Sequence, residues 1–177
     1  MEKIIKAPAI VLLILILLPW SIVQLISDEF PTVQAVFGAL GCITLWGWIA
    51  ILAESLKSRL PGNVEISDTL FLINIVVLIL SFGGIHILLE PGQTVHVTGL
   101  YVLPIVYVFY AIFQVYAHIA KLLTSAEEMK EVKFSHRIGE MFLFYFFIIG
   151  IFWLQPRIRK VLDRPIPEDK AGKEYST

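Results

Sequence analysis

A chain of 177 residues with 57% hydrophobic and 16% charged residues is too apolar for a soluble domain, since such domains have about 45–50% apolar residues and about a quarter charged. The net charge of −1 gives no electrostatic reason to expect a nucleic-acid partner. A single cysteine, Cys42, excludes an internal disulfide and a multi-cysteine metal site. The composition predicts an integral membrane protein.

Four apolar segments are long enough to cross a bilayer, because about 20 apolar residues span roughly 30 Å of hydrocarbon as a helix. They cover residues 7–26, 33–53, 69–89 and 100–120, and none contains a Lys, Arg, Asp or Glu. The first is too long for the apolar core of a signal peptide and has no Ala-x-Ala-like cleavage site after it, so we expect it to be retained. The sequence predicts an all-α bundle of four transmembrane helices.

A fifth apolar segment, residues 141–154, is shorter. As one straight helix its roughly 14 residues cover about 21 Å, less than a full crossing. Gly150 at its centre favours a segment that enters the bilayer and returns, whereas Gln155-Pro156 resembles an ordinary helix end. The fifth helix is therefore either crossing or re-entrant.

The predicted single membrane domain covers residues 1–164, and a polar tail follows it. Ser125 and Glu128 match a capping box, which predicts a short surface helix after the fourth span. Residues 165–177 are polar and contain two prolines, so we expect a disordered tail.

The basic residues predict the topology, because short cytoplasmic loops collect Lys and Arg. Residues 27–32 and 90–99 contain neither, whereas basic residues precede the first span, separate the second from the third and flank the fifth segment. We expect a cytoplasmic N-terminus. If the fifth segment crosses, the basic tail lies outside; if it returns, all the basic residues lie inside.

The ending Gly-Ile-Phe-Trp-Leu-Gln-Pro-Arg-Ile-Arg-Lys, residues 150–160, is similar to the C-terminus of an uncharacterised family of small multi-pass membrane proteins of Bacteroidota type. The resemblance covers roughly residues 132–160 and includes Lys-Phe-Ser at 133–135. Members of that family often have a proline where Ile149 stands in this chain. The resemblance implies a bacterial inner membrane and no particular activity.

Polar residues within the spans are few. Asn74 and Gln114 are amides, which we expect to hydrogen-bond between helices, with a polar lining for a permeation path as the alternative. The carboxylates Glu54, Asp68 and Glu90 fall at segment ends and are expected to be interfacial. Since no two carboxylates share a depth, the sequence gives no sign of a proton relay or a carboxylate-based protease.

The histidines raise the possibility of haem ligation. His86 and His118 fall at opposite ends of the third and fourth spans, so they cannot bind one haem within a monomer. His96 is expected at the same surface as His86, and His136 at the same surface as His118. Neither pair has further Cys or carboxylate residues at the spacing of a metal site. We expect interfacial roles for the histidines, and no cofactor.

Small residues in the second span predict close helix packing. They form two pairs at i, i+4 spacing: Ala35 with Ala39, and Gly38 with Cys42. This face is expected to contact a neighbouring helix within the bundle, a second copy of the chain or a larger membrane assembly.

A basic run follows the fifth segment and consists of Arg157, Arg159, Lys160 and Arg164. On the cytoplasmic side such a run attracts anionic lipid headgroups. We expect contact with headgroups of the lipid bilayer or with a partner protein.

Three functions remain open. The sequence favours a structural or accessory membrane component that acts through helix contacts, because it carries no catalytic motif. A small oligomeric channel or transporter comes second, although no internal repeat is present. A lipid-modifying enzyme comes third, with Glu54, His118, His136 and Glu140 as the residues that a cytoplasmic site could use.

Overall fold

Six α-helices follow one another in the described part of the chain, with no strand. The structure is a computed structural model and describes residues 5–27, 29–89, 96, 98–133 and 137–167. The helices are α1 (Ala9–Leu25), α2 (Pro31–Lys57), α3 (Thr69–Leu88), α4 (Val102–Glu128), α5 (Ile138–Tyr145) and α6 (Phe147–Leu162). The all-helical prediction is confirmed.

Three of these helices are long and apolar enough to cross a membrane. They are α2 with 27 residues, α3 with 20 and α4 with 27, and their most apolar windows have mean hydropathies of 2.0, 2.4 and 1.7. Helix α1 is also apolar but has 17 residues, which gives it about 25 Å of length.

The long helices pack in chain order. Helix α2 lies between α1 and α3, and α4 packs against both α3 and α2. The buried core runs through all of them, with Leu12, Leu52, Leu78 and Ile119 fully or almost fully buried. The outward faces of α1 and α3 carry exposed Ile, Leu and Val side chains, as expected for helices that lie in lipid.

Helix α4 differs sharply between its two halves. Residues 102–107, 109 and 110 are exposed although most are apolar or aromatic, whereas residues 118–120 and 122–126 are buried. The helix also runs on to Glu128, so the separate surface helix predicted after residue 120 is wrong. In place of a cap at Ser125, α4 ends where Met129 adopts a left-handed conformation with φ of 54° and the Lys130 amide bonds to the Ser125 carbonyl.

The fifth apolar segment is two helices, which corrects the prediction of one helix over residues 141–154. Phe146 leaves helical geometry with φ of −89° and ψ of 52°, and it separates α5 from α6. The two helices fold back on each other, since Nη2 of Arg157 lies 3.0 Å from Oε1 of Glu140. Helix α6 also continues through Pro156, so the predicted stop at Gln155-Pro156 is wrong as well.

Gly150 allows the two helices to come this close. A side-chain Cβ at this position would overlap the carbonyl group of Leu143 and lie 2.6 Å from its carbon atom. Only glycine leaves that space empty, and the backbone of α6 therefore passes directly against the backbone of α5. We call α5 and α6 with the turn at Phe146 the hairpin.

The base of the hairpin lies at the end of the bundle where the described chain begins. Nε2 of Gln155 donates to the carbonyl oxygens of Ile5 and Ala7 at 2.6 and 2.7 Å. The Lys6 ammonium lies 2.9 Å from the Asp163 carboxylate. Both ends of the described chain are therefore neighbours, and we call this end of the bundle the basal end.

The tip of the hairpin lies deep along the long helices. The ring of Phe147 contacts Trp48 of α2 edge to face, with centroids 5.2 Å apart. Since α2 reaches the basal end at Lys57, the tip lies about 13 Å along that helix.

Candidate functional site

The two intramembrane amides are hydrogen-bonded to each other. Nδ2 of Asn74 on α3 donates to Oε1 of Gln114 on α4 at 2.9 Å. The Tyr107 hydroxyl donates to Oδ1 of Asn74 at 2.8 Å. Asn74 is fully buried, so this triad satisfies a polar group that would be costly within the bundle if it were left alone.

A second polar cluster joins three helices at the basal end. Asp68, just before α3, is hydrogen-bonded to the Lys57 ammonium at the end of α2. Its other oxygen lies 3.1 Å from Nε2 of His118 on α4. The imidazole is stacked on Phe71, with ring centroids 4.5 Å apart. We call Lys57, Asp68 and His118 the basal cluster.

The sequence did not reveal the basal cluster. Asp68 and His118 were each expected to be separate interfacial groups, and only the packing of α3 against α4 brings them together. The available signal was that both fall near the predicted cytoplasmic ends of adjacent antiparallel segments. That signal gives depth but not rotation about the helix axis, so it could not show that they touch.

The small residues of α2 receive large side chains from two neighbours. A Cβ on Gly38 would lie 2.6 Å from the His86 ring of α3, and one on Gly41 would overlap the indole ring of Trp20 on α1. His86 and Trp20 also meet edge to face, with centroids 5.3 Å apart. Gly38 of the predicted small-residue face thus packs within the bundle, and Gly41 is a further packing position outside that predicted set.

The other three residues of the predicted small-residue face do not receive a large side chain in this way. Cys42 is buried in the core, and Ala39 faces Gly83 of α3, where an added Cβ would be 4.0 Å from that of Ala39. Ala35 is half-buried and lines a cavity of about 710 Å³ between α1, α2 and α3.

Two of the four basic residues expected at lipid headgroups are instead bonded within the chain. Arg157 holds both carboxylate oxygens of Glu127 at 2.8 and 2.6 Å, and it also bonds to Glu140. Hydrogen bonding to Glu127 is the largest cause that raises the pKa of the Arg157 guanidinium. Arg164 donates to the carbonyl oxygen of Ala126 at 2.8 Å.

The remaining two basic residues have no such contacts. Within the described part of the chain, the side chains of Arg159 and Lys160 make no hydrogen bond or ion pair. Nε of Arg159 is buried, and Lys160 is exposed.

An apolar cavity of about 490 Å³ lies beside the hairpin tip. Its walls come from α1, α2, α4 and the hairpin, and they include Ile16, Leu45, Tyr116 and Ile149. The only polar atoms its lining side chains carry are the hydroxyls of Tyr116 and Tyr145 and the indole nitrogen of Trp20. Such a cavity fits a hydrocarbon group rather than a charged substrate.

Of the residues considered for an enzyme, those that the structure describes are not brought together. His118 bonds to Asp68, Glu140 bonds to Arg157, and Glu54 is exposed. His136 and Glu90 lie outside the described residues, and His96 is exposed. Among the residues that the structure describes, no three His, Cys, Asp or Glu side chains are grouped as metal ligands.

Comparison of the chain with protein-family models, curated proteins and solved structures found no match.

Proposed function

We propose that this protein is a structural or accessory component of a membrane assembly, and that the outer half of α4 binds a transmembrane helix of its partner. The single observation behind the proposal is the exposure of that half. Phe109 is 68% exposed and Leu103 62%, and residues on every side of the helix are exposed with them. A helix at the edge of a bundle normally buries one face, so this half has room for another helix.

The composition of this half also supports the proposal. Tyr107, Phe109, Tyr110 and Phe113 give it four aromatic rings, each at least 40% exposed. Helices associate in membranes through close packing and interhelical hydrogen bonds rather than through hydrophobicity. Rigid aromatic rings provide the packing contacts, and the Tyr110 hydroxyl can provide a hydrogen bond.

The alternatives have less support. A channel needs polar groups that line a path, whereas Asn74, Gln114 and Tyr107 are bonded to one another. An enzyme needs reactive groups gathered at one place, whereas Glu54 is exposed and His118 and Glu140 are bonded to other residues.

The proposed topology has four spans, a cytoplasmic N-terminus and a re-entrant hairpin in the inner leaflet of a bacterial inner membrane. Its support is the excess of basic residues at the basal end, the depth of the hairpin tip, and the C-terminal resemblance. The turn at Phe146 lies beside α2, and irregular backbone at membrane depth requires protein cover of this kind.

Site-specific photo-crosslinking tests the partner surface. A benzoylphenylalanine at position 109 in the full-length protein is expected to crosslink in membranes to a second copy or to another membrane protein. The same probe at Ile14, 57% exposed on α1, is the matched control and is expected to crosslink mainly to lipid. A monomer in mild detergent with no protein crosslink at position 109 would overturn the proposal.

A further inference from the structure

We propose that the cavity beside the hairpin tip holds one acyl chain of an anionic phospholipid, and that Arg159 and Lys160 bind the phosphate of its headgroup. This inference rests on the proposed topology, which places the hairpin in the leaflet at the basal end. It does not depend on the partner surface of α4.

The cavity has the size of a small-molecule binding site and an apolar lining. Its volume of about 490 Å³ lies within the range of about 300–1,000 Å³ that is typical of small-molecule sites. Its inner wall contains the buried residues Ile16 and Tyr116, whereas Ile148 and Ile149 on its edge are 58% and 62% exposed. The cavity therefore opens sideways, toward the hydrocarbon of the bilayer.

The acyl chain of a lipid is the molecule available to fill this cavity. An apolar cavity without atoms inside leaves its lining without dispersion contacts, and water does not fill a site that offers it few hydrogen-bond partners. The exposed faces of α1 and of the hairpin are apolar around the opening, so the nearest molecules are acyl chains.

One exposed stripe of α6 connects the cavity with the headgroup level. Ile149, Trp153, Pro156 and Lys160 are all exposed and recur at helical spacing, so they lie on one face. At 1.5 Å per residue, Lys160 lies about 16 Å from Ile149 along α6. That distance is close to half of the roughly 30 Å hydrocarbon core. A lipid whose phosphate binds Lys160 would therefore place the end of its acyl chain in the cavity.

The charges at the basal end select an anionic headgroup. Lys6, Lys121 and Arg157 are paired with carboxylates of the chain. Arg159 and Lys160 are not paired with any side chain that the structure describes. Arg159 is half-buried and Lys160 is exposed, so a headgroup phosphate at this surface would meet two cations that have no carboxylate partner among the described residues.

Lipid binding by the purified full-length protein tests the inference. Titration with phosphatidylglycerol in mild detergent, followed by native mass spectrometry, is expected to show one retained lipid per chain. Because each basic residue near a headgroup contributes about 1 kcal/mol, or about fivefold in affinity, Arg159→Gln with Lys160→Gln should weaken binding about 25-fold. Lys133→Gln, an exposed lysine elsewhere, is the matched control and should leave it unchanged.

Filling the cavity tests the acyl chain separately. Leu45→Trp should abolish retention, whereas Leu72→Trp on the exposed face of α3 should not. If Leu45→Trp lowers the melting midpoint, Leu17→Phe in the same cavity replaces it. Equal retention of phosphatidylcholine, or full retention by the double glutamine variant or by a folded cavity-filled variant, would overturn the inference. The photo-crosslink at position 109 is read in the same variants, so failure of the lipid site is distinguishable from failure of the partner surface.

Discussion

Nε2 of His118 on α4 lies 3.1 Å from Oδ1 of Asp68, at the point where α3 begins. The Asp68 carboxylate also binds Lys57 at the end of α2, so it ties together the basal ends of three helices. The side chain of Lys57 is 40% exposed, that of Asp68 15% and that of His118 7%. Burial thus increases from the solvent-facing ammonium to the imidazole.

We expect Asp68→Ala to destabilise the protein by about 1–3 kcal/mol, because it leaves the buried imidazole of His118 without its partner. Lys57→Ala should cost less than about 1 kcal/mol, since exposed ion pairs contribute little. The free energy of unfolding in mixed micelles measures both. Glu65→Ala, an exposed carboxylate before α3, is the control and should have no effect. Equal losses for Asp68→Ala and Glu65→Ala would show that the basal cluster does not hold the helices together.

Gly150→Ala should destabilise the hairpin by about 3 kcal/mol, the upper part of the range for overpacking, because the new methyl group would overlap the backbone of Leu143. Gly139→Ala on α5 meets nothing within 4 Å and is the matched control. It should leave stability unchanged or raise it slightly, since alanine favours helix. Melting midpoints of the two variants in detergent measure the difference. The same midpoint for both would contradict the close approach of α5 and α6.

Asn74→Leu should cost about 1 kcal/mol, since interhelical hydrogen bonds in membranes contribute about 0.6 kcal/mol on average and up to about 1.7. The loss arises because Gln114 and Tyr107 both lose their partner. The double variant Asn74→Leu with Gln114→Leu should cost less than the two single variants added together, because no unpaired amide remains. Unfolding free energies of the three variants test this, and strict additivity would show that the amides act independently.

Cysteine labelling tests the re-entrant hairpin. In a Cys42→Ala background, a cysteine at Phe30, which is 57% exposed between α1 and α2, should react with an impermeant maleimide added outside spheroplasts. A cysteine at Ile166, which is 42% exposed after α6, should react only after permeabilisation. Labelling at position 166 from outside would mean that the last segment crosses the bilayer.

The sequence predicted the parts of the fold that depend on length and composition. The cores of α2, α3 and α4 agree with their apolar segments, because about 20 apolar residues have few structures other than a helix in lipid. Length and composition could not predict the turn at Phe146. Uniform apolar character from Met141 to Leu154 gives no local signal for a break, and Gly150, which had suggested a return, marks the contact with Leu143 rather than the turn.

The candidate site was less predictable, since partner choice depends on helix rotation. Asn74 and Gln114 were expected to bond because amides in adjacent spans have few other partners. The basic run was treated as one surface, yet Arg157 turns toward Glu127 and Glu140, whereas Lys160 faces outward. Counting charges places such a run at a membrane surface, but it cannot show which of its residues bond within the chain and which face outward.

The contact between Lys6 and Asp163 has a consequence for how the chain can be rearranged. Chains whose two ends are close tolerate circular permutation, and in a membrane the joining linker must not have to cross the bilayer. In the proposed topology the hairpin returns to the basal end, so residues 5 and 167 could be connected on one side, with new termini opened between Lys57 and Asp68. The order of the helices along the gene could then change while every crossing kept its direction.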